Sequence, residues 1–467
     1  MIRVGERIHF IGVAGSGAAG TALLAQLAGA LVDGCDLELP SPYTPPLDAA
    51  GIRQQRGHDP GHLAGIDRVA TTPAARVAAN HPELAAAAQR GITVTTWQAL
   101  LGELMSQPGR LGLAVAGTHG KSTTTALLGH LLIAAGLDPT VEVGAMVADW
   151  GASVRAGGGP PFLVEADEFG DNFLNYHPAA AIITNIEMDH PDYFADRDAV
   201  LNSFERFVRG MGESPPFAPP LLLAAAADPG VDALLERLSG WRGRVRRFGP
   251  GGDAAVSEIV YQPDGTSFTL RDVRCRTRLL GAHNVLNATA ALELAAELGA
   301  PLETLAKALP DFAGAGRRME LIADTAGVTV LDDYAHHPTE VRAALAAARQ
   351  RVGDRRLWAV FEPHMVSRTA LFLDQFASSF SEADEVAIVD IFPSRDADLS
   401  LTSAEELADA VERTSAVPTL ATGDVDQTTS YLADHVRDGD AVLVMGAGRS
   451  YRIARGLAAA LSRVGTR

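Results

Sequence analysis

A chain of 467 residues is too long for one hydrophobic core and implies several domains, three by the segments described below. Its 47% hydrophobic content with mixed charge is that of a globular protein, and no segment reaches the uninterrupted apolar length that crosses a bilayer. A net charge of -18 argues against a nucleic-acid or anionic-membrane surface as partner, because phosphate-neutralising affinity needs Lys and Arg in excess, so any phosphate is bound locally. Cys35 and Cys275 lie far apart and match no metal-ligand spacing, which points to a reducing, cytoplasmic compartment.

The apolar run Ile8 to Val13 follows Arg3, Glu6 and Arg7, is too short for a signal segment, and reads as a first strand. It runs into Gly12, Gly15, Gly17 and Gly20 and then an apolar helix, Thr21 to Leu31. Read from Gly15, this is Gly-x-Gly-x-x-Gly between strand and helix, the dinucleotide-type arrangement, and Asp36 lies near the place of its acidic ribose contact. A Gly- and Ala-rich helix start packed closely on a sheet reads equally well.

Val115 to Thr125, Val-Ala-Gly-Thr-His-Gly-Lys-Ser-Thr-Thr-Thr, ends a second short apolar strand and opens a helix. Gly117 and Gly120 let backbone approach anionic oxygens, the helix aims free N–H groups at them, and Lys121 adds a point charge. Ser122 supplies a hydroxyl for Mg²⁺. Val115 stands where the standard pattern has its first Gly, so the loop is a shortened variant. Two further buried-strand runs, Phe162 to Val164 and Ala180 to Ile183, end in Glu165-Ala-Asp-Glu168 and Thr184-Asn-Ile-Glu-Met-Asp-His190. Ligands of an open α/β sheet bind beyond the carboxyl ends of strands, so both clusters are expected to face the Lys121 loop, with Ser122, Glu165 and His190 around Mg²⁺.

Ser214 to Pro220 is Pro-rich and reads as a surface loop. His283, Asn284 and Asn287 precede or open an Ala-rich helix; they suit contacts to a purine edge or phosphate, and Asn284 or Asn287 equally suits an N-terminal cap. After a flexible Gly/Ala link, Phe312 to Gly316, come Arg317 and Arg318 and then strands at Val328 to Leu331, Leu357 to Phe361, Glu385 to Asp390 and Ala441 to Met445, a further parallel α/β domain. Asp332-Asp-Tyr-Ala-His-His-Pro338 ends the first of these strands, with Asp333 placed to touch a ribose or phosphate, and Glu362-Pro-His364 with Arg368 ends the next, on the same edge.

The ordered motifs Ala116-Gly-Thr-His-Gly-Lys121, Glu165-Ala-Asp-Glu168, Asn185-Ile-Glu-Met-Asp-His190, His283-Asn-Val-Leu-Asn287, Gly316-Arg-Arg318 and Asp332-Asp-Tyr-Ala-His-His-Pro338 resemble the Mur ligase family over essentially the whole chain. The resemblance implies an α/β chain of three domains. These are an N-terminal Rossmann-like domain for a UDP-sugar (1–108), a central P-loop-type ATPase with a parallel-rich sheet (109–314) and a C-terminal Rossmann-like domain (315–467). It implies ATP and Mg²⁺ as cofactors, UDP-N-acetylmuramate and L-alanine as small-molecule substrates, and amide formation through an acyl phosphate. By that likeness Gly15, Gly17 and Asp36 lie near the UDP moiety. Gly117, Thr118, His119, Gly120, Lys121, Ser122 and Thr123 meet the ATP phosphates, and His283, Asn284 and Asn287 contact ATP. Arg318 meets the γ-phosphate and Asp333 the ribose or phosphate side; Lys121, Glu165, His190 and Arg318 are the catalytic set, and Glu165 and His190 ligate metal with Ser122. Tyr334, His337, His364 and Arg368 gather the amino-acid substrate. Phe169-Gly-Asp-Asn172 after Glu168, Met365 after His364 and a short loop after Phe392-Pro393 depart from the alanine-adding pattern, and motivate a related reaction in which a preformed peptide is the amine. A nucleotide-binding regulator without ligase chemistry is the reading of another class.

Overall fold

The computed structural model describes residues 2–72 and 80–464. They divide into two compact units, one of residues Met1–Glu187, Asp198–Val256 and Asn287–Ala315, the other of Met188–Arg197, Ser257–Leu286 and Gly316–Arg467.

The first unit holds two sheets. Strands β1 (Arg7–Ile11), β2 (Leu31–Asp36), β3 (Arg53–Arg56), β4 (Arg68–Thr71) and β5 (Thr93–Thr96) form a parallel sheet in the order β3-β2-β1-β4-β5. Alternate residues of β1 serve opposite faces: Ile8 and Phe10 pack with helix α1 (Ser16–Leu27), while Ile11 joins Cys35, Val69 and helix α2 (Pro82–Arg90). Helix α3 (Trp97–Met105) follows β5, its start capped by Thr96, whose hydroxyl accepts the Ala99 N–H at 3.1 Å.

The second sheet comprises β6 (Leu111–Ala116), β7 (Thr140–Val147), β8 (Ala152–Arg155), β9 (Pro161–Glu165), β10 (Ala180–Ile183), β11 (Leu221–Ala225) and β12 (Arg244–Phe248), in the order β12-β11-β10-β6-β9-β7-β8. Every pairing is parallel except β7 with β8. Its centre is buried on both faces, which is why β6, β9 and β10 read as unbroken apolar runs. Helix α4 (Lys121–Ala134) springs directly from the end of β6.

In the second unit β13 (Val256–Gln262), β14 (Gly265–Leu270) and β15 (Val273–Thr277) form a three-stranded sheet, β14 and β15 antiparallel. Its exposed strand Val256–Gln262 carries no apolar alternation, so this sheet is not legible in the sequence. Helix α5 (Ala282–Glu297) begins in this unit and ends in the first. The last sheet has the order β16-β17-β21-β18-β19-β20, made of β16 (Glu320–Thr325), β17 (Val328–Asp333), β18 (Leu357–Phe361), β19 (Glu385–Val389), β20 (Thr419–Gly423) and β21 (Ala441–Met445). All its pairs are parallel apart from the hairpin β16–β17, which the sequence reading missed along with β20. Leu331, Phe361 and Leu443 face one helical layer with helix α6 (Pro338–Val352); Val330, Val360 and Val444 face the other. The short helix α7 (Val366–Leu371) follows β18.

The link before Gly316 is more anchored than its composition suggests. Phe312 is fully buried with its ring 5.6 Å from that of His130, and Ala315 bridges Val147. Ser214–Pro220 is a loop as expected, closed by reciprocal hydrogen bonds between Ser214 and Phe217.

Candidate active site

At the end of β6 the chain turns through Gly117 at φ +132° and Gly120 at φ +82°, and α4 starts at Lys121. Both glycines are also required by contact. A Cβ on Gly117 would lie 2.0 Å from Thr184 Oγ1, and one on Gly120 would lie 2.7 Å from Asn287 Oδ1. The loop is braced from the end of β10: His119 N–H donates to Asn185 Oδ1 at 2.8 Å, Thr118 N–H to the Asn185 carbonyl at 3.1 Å, and Thr184 Oγ1 to the His119 carbonyl at 2.6 Å. Thr118 Oγ1 in turn accepts the Glu187 N–H at 2.9 Å. Thr123, on the first turn of α4, is buried.

Lys121 Nζ curls into this turn, donating to the carbonyls of Gly117 (2.7 Å) and Thr118 (3.1 Å) and to Glu168 Oε2 (2.8 Å). Burial opposes the ammonium charge, but the carboxylates of Glu168 and Asp167 outweigh it and raise the pKa, so Lys121 stays cationic. Ser122 Oγ donates to Glu165 Oε1 at 2.8 Å, and Gly144 N–H donates to Glu165 Oε2 at 2.6 Å. Behind them Glu142 is buried, and burial with the Glu165 and Asp167 charges pushes its carboxyl well up from the usual carboxylate range. The three carboxylates of Glu165, Asp167 and Glu168 around one lysine make a centre short of positive charge. A hydroxyl and carboxylates are the hard oxygen donors that Mg²⁺ takes, so the donor set fits that ion.

The second unit gathers the remaining candidates in two groups. At the ends of β17 and β21, Asp333 accepts the Met319 and Ala335 N–H groups, both at 2.8 Å, and burial pushes its carboxyl up to about 6. The arginine pair divides its work. Arg317 is fastened to Asp332 (3.0 Å), the Gly446 carbonyl (2.7 Å) and Ser450 (2.9 Å), whereas Arg318 lies over the Tyr334 ring at 5.0 Å, with Glu340 at 3.9 Å. A solvated surface pair is therefore excluded. Burial pushes His283 down to about 4, with the Arg318 charge acting the same way. Asn284 Nδ2 donates to the Leu280 carbonyl at 2.8 Å, and α5 has already begun at Ala282, so neither Asn284 nor Asn287 is the helix cap that the sequence allowed.

The other group centres on Arg368, which is fully buried. Its guanidinium holds Asp189 Oδ1 through Nε (2.9 Å) and Nη2 (2.8 Å), with His364 Nδ1 at 3.3 Å and His190 Nδ1 at 3.4 Å. Burial resists ionisation of Asp189, yet His190 and Arg368 hold its carboxyl well below the usual range. Burial, His336 and Arg368 push His364 down to about 2, so its imidazole is neutral. His337 caps α6: its side chain accepts the Thr339 N–H at 3.3 Å, Glu340 completes a capping box, and Nε2 lies 3.3 Å from the Met188 carbonyl oxygen. Met365 is fully buried at φ +71° with its N–H on the Phe392 carbonyl, and so lines no open space. Asp171, in the Phe169–Asn172 departure from the alanine-adding pattern, accepts from Ser203 and from Arg206.

In the N-terminal loop the left-handed glycine is Gly12 at φ +82°, and Gly15 is an ordinary helix cap at φ -75°. Gly17 is also required by packing: a Cβ there would lie 2.3 Å from the Trp97 ring. Asp36 Oδ2 accepts the Ala14 N–H at 3.0 Å and so shapes the turn from the end of β2. Glu168 as the partner of Lys121, Asp189 as the partner of Arg368, and Thr184 and Asn185 as braces do not follow from the sequence pattern. All four stand inside motifs already singled out, and the signal was the polar run at each strand end.

Profiles described as Mur ligase family, catalytic domain; Mur ligase middle domain; and Mur ligase, glutamate ligase domain match residues 7–108, 162–295 and 317–448. The UDP-N-acetylmuramate–L-alanine ligase of Kineococcus radiotolerans is 41% identical over 455 residues, covering 95% of this chain and 93% of that protein. Its counterpart in Mycolicibacterium vanbaalenii is 38% identical over 459 residues, covering 95% and 94%. Among solved structures, UDP-N-acetylmuramate-alanine ligase from Thermotoga maritima superposes with a TM-score of 0.82 at 24% identity, over 98% of this chain and 99% of that one. A murein peptide ligase from Psychrobacter arcticus gives 0.70 at 27% identity, over 98% and 99%.

Proposed function

This chain belongs to the Mur ligase family, and we propose that it joins L-alanine to the carboxylate of UDP-N-acetylmuramate at the expense of ATP, a step in building the peptidoglycan precursor. The observation that carries the reading is the Lys121 loop, whose Lys and Ser are each held by a carboxylate at the end of the neighbouring strand β9, in a chain similar over 95% of its length to ligases of that name. We read the domains as 1–108, 109–314 and 315–467; the profile over 7–108 supports the first boundary and the one over 317–448 the second, while the middle profile covers 162–295. The free thiols Cys35 and Cys275 support a cytoplasmic location, and among the described residues no helix is long and apolar enough to cross a membrane.

The chemistry follows from what a carboxylate lacks. Its oxygen is a poor leaving group, so it first attacks the γ-phosphorus of ATP, ADP departs, and an acyl phosphate results. The free amine of L-alanine then attacks the carbonyl carbon, loses a proton, and expels phosphate. The amides at the start of α4 and Lys121 bind the phosphate chain, and Arg318 offsets charge on the transferring group. Ser122, Glu165 and His190 would hold Mg²⁺, which when bound supplies positive charge at the phosphate oxygens. His283, Asn284, Asn287 and Asp333 position the nucleotide. Gly15, Gly17 and Asp36 lie at the UDP-sugar, while Tyr334, His337, His364 and Arg368 order the amino-acid end. With Met365 buried and Asp171 turned to its own partners, two of the three departures that motivated a peptide amine are absorbed by packing.

The test is phosphate release by the full chain with UDP-N-acetylmuramate, ATP and Mg²⁺. Turnover is expected on adding L-alanine. Turnover with the tripeptide alone would reassign the amine, and ATP binding with no amine-dependent turnover would make the chain a nucleotide-binding regulator.

A further inference from the structure

The N-terminal sheet gathers a second set of ligating side chains, built from residues that the phosphate chemistry does not use. His9 on β1, Cys35 on β2, His62 in the turn Pro60–Leu63 and Glu83 on α2 each present one donor atom, all within 4.8 Å of one another. His9 Nε2 lies 3.3 Å from Cys35 Sγ and 3.3 Å from Glu83 Oε1, Cys35 Sγ lies 3.1 Å from Glu83 Oε2, and His62 Nδ1 lies 2.7 Å from Glu83 Oε1. His9, Cys35 and Glu83 are fully buried. Donors bound tetrahedrally to zinc, at about 2.0–2.3 Å, stand roughly 3.3–3.6 Å apart, so modest adjustment turns this contact set into a coordination shell.

We propose that His9, Cys35, His62 and Glu83 form a closed structural site for one zinc ion. Two further features fit a metal better than a polar network. His9 Nδ1 is engaged by Asp33 Oδ1 at 2.7 Å, the carboxylate–histidine arrangement that aims the other ring nitrogen at a cation. His81 is buried with neither ring nitrogen bonded to any described residue, its ring 4.4 Å from that of His58, and both histidines belong to a second donor group that shares Glu83. His58 Nδ1 also lies 3.2 Å from Cys35 Sγ, so imidazoles crowd the thiol from two sides. Burial and the Glu83 charge push the Cys35 thiol far up, so without a cation it is a neutral thiol, and a bound zinc ion ionises it by displacing its proton to solvent. Four ligands from four successive pieces of chain then tie β1, β2, the 60–63 turn and α2 together. The Cys35 carbonyl accepts the Gly12 and Val13 N–H groups at 2.9 and 3.1 Å, so the tie reaches the root of the glycine-rich loop. The spacing of the two cysteines concealed the site, because only one of them takes part.

The full chain, purified without chelator and dialysed, is expected to retain one zinc per molecule. Exchange for Co²⁺ alone should give a near-ultraviolet thiolate-to-cobalt charge-transfer band with the visible bands of a tetrahedral ion. Cys35→Ser should abolish the charge-transfer band and Cys275→Ser should keep it; His62→Ala, at the more open side, should lose zinc on dialysis while its circular dichroism stays that of the parent. Chelation should lower the Tm with no ATP present. A parent chain that retains no zinc, gives no thiolate band with Co²⁺, or keeps the band after Cys35→Ser overturns the proposal.

Discussion

Lys121 is held by Glu168 in the chain alone, and the proposed ATP phosphates would be a second partner for the same ammonium. In the chain alone the ammonium neutralises a carboxylate that is 2% exposed, so removing it strands a buried charge. Lys121→Met is expected to destabilise the protein by about 3–5 kcal/mol in urea unfolding, and Glu168→Gln on the same background should restore part of the loss; an unchanged midpoint in Lys121→Met would contradict the pairing. The zinc-free cluster at His9 predicts a pH optimum. Burial works against both charges, but Asp33 and Glu83 raise His9 from 6.5 to about 9, and His9, Cys35 and His62 lower Glu83 from 4.5 to about 2. The His9 contribution is complete below 6.5 and lost as pH rises through 9; the Glu83 contribution is complete above 4.5 and lost as pH falls towards 2. With zinc removed, Tm attributable to the pair should plateau between these limits, and Glu83→Gln should flatten the acid side. Lys121 was legible in the sequence because its loop is contiguous. Its partner was not, since the β6–β9 register that sets Val115 beside Glu165 decides which carboxylate reaches the ammonium.

At the scale of elements, helix starts are fixed by single contacts that can be broken one at a time. Gly17→Ala drives a methyl group into the Trp97 ring and should cost about 1–3 kcal/mol, with partial rescue by Trp97→Leu, measured as the change in unfolding midpoint. His337→Ala should remove the α6 cap and cost about 0.5–2 kcal/mol, while His337→Asn, which can still accept from the Thr339 N–H, should recover most of it. Strands buried on both faces, such as β6, β17 and β21, were readable as apolar runs. The edge strands β16 and β20 were not, because none of their residues is fully buried and their composition is that of a loop. The parallel α/β framework and the strand ends that carry the candidate site were thus visible, whereas the polar partners that hold each side chain came only with register.

At the scale of the molecule, two compact units within one chain imply that unfolding is not a single cooperative event. Calorimetry is expected to give a van't Hoff enthalpy below the calorimetric one, and equality of the two would refute independent units. The -18 net charge leaves phosphate affinity to locally built places, and the Lys121 loop is the one proposed for ATP. That loop is seated by Asn287, whose side chain occupies the space a Cβ on Gly120 would need. The loop and its seat are far apart in the chain yet inseparable in shape. In hybrids assembled from this chain and a relative, a crossover placed between these two positions hands the loop to one parent and its mould to the other, so junctions outside that interval are the ones that should yield working chimeras.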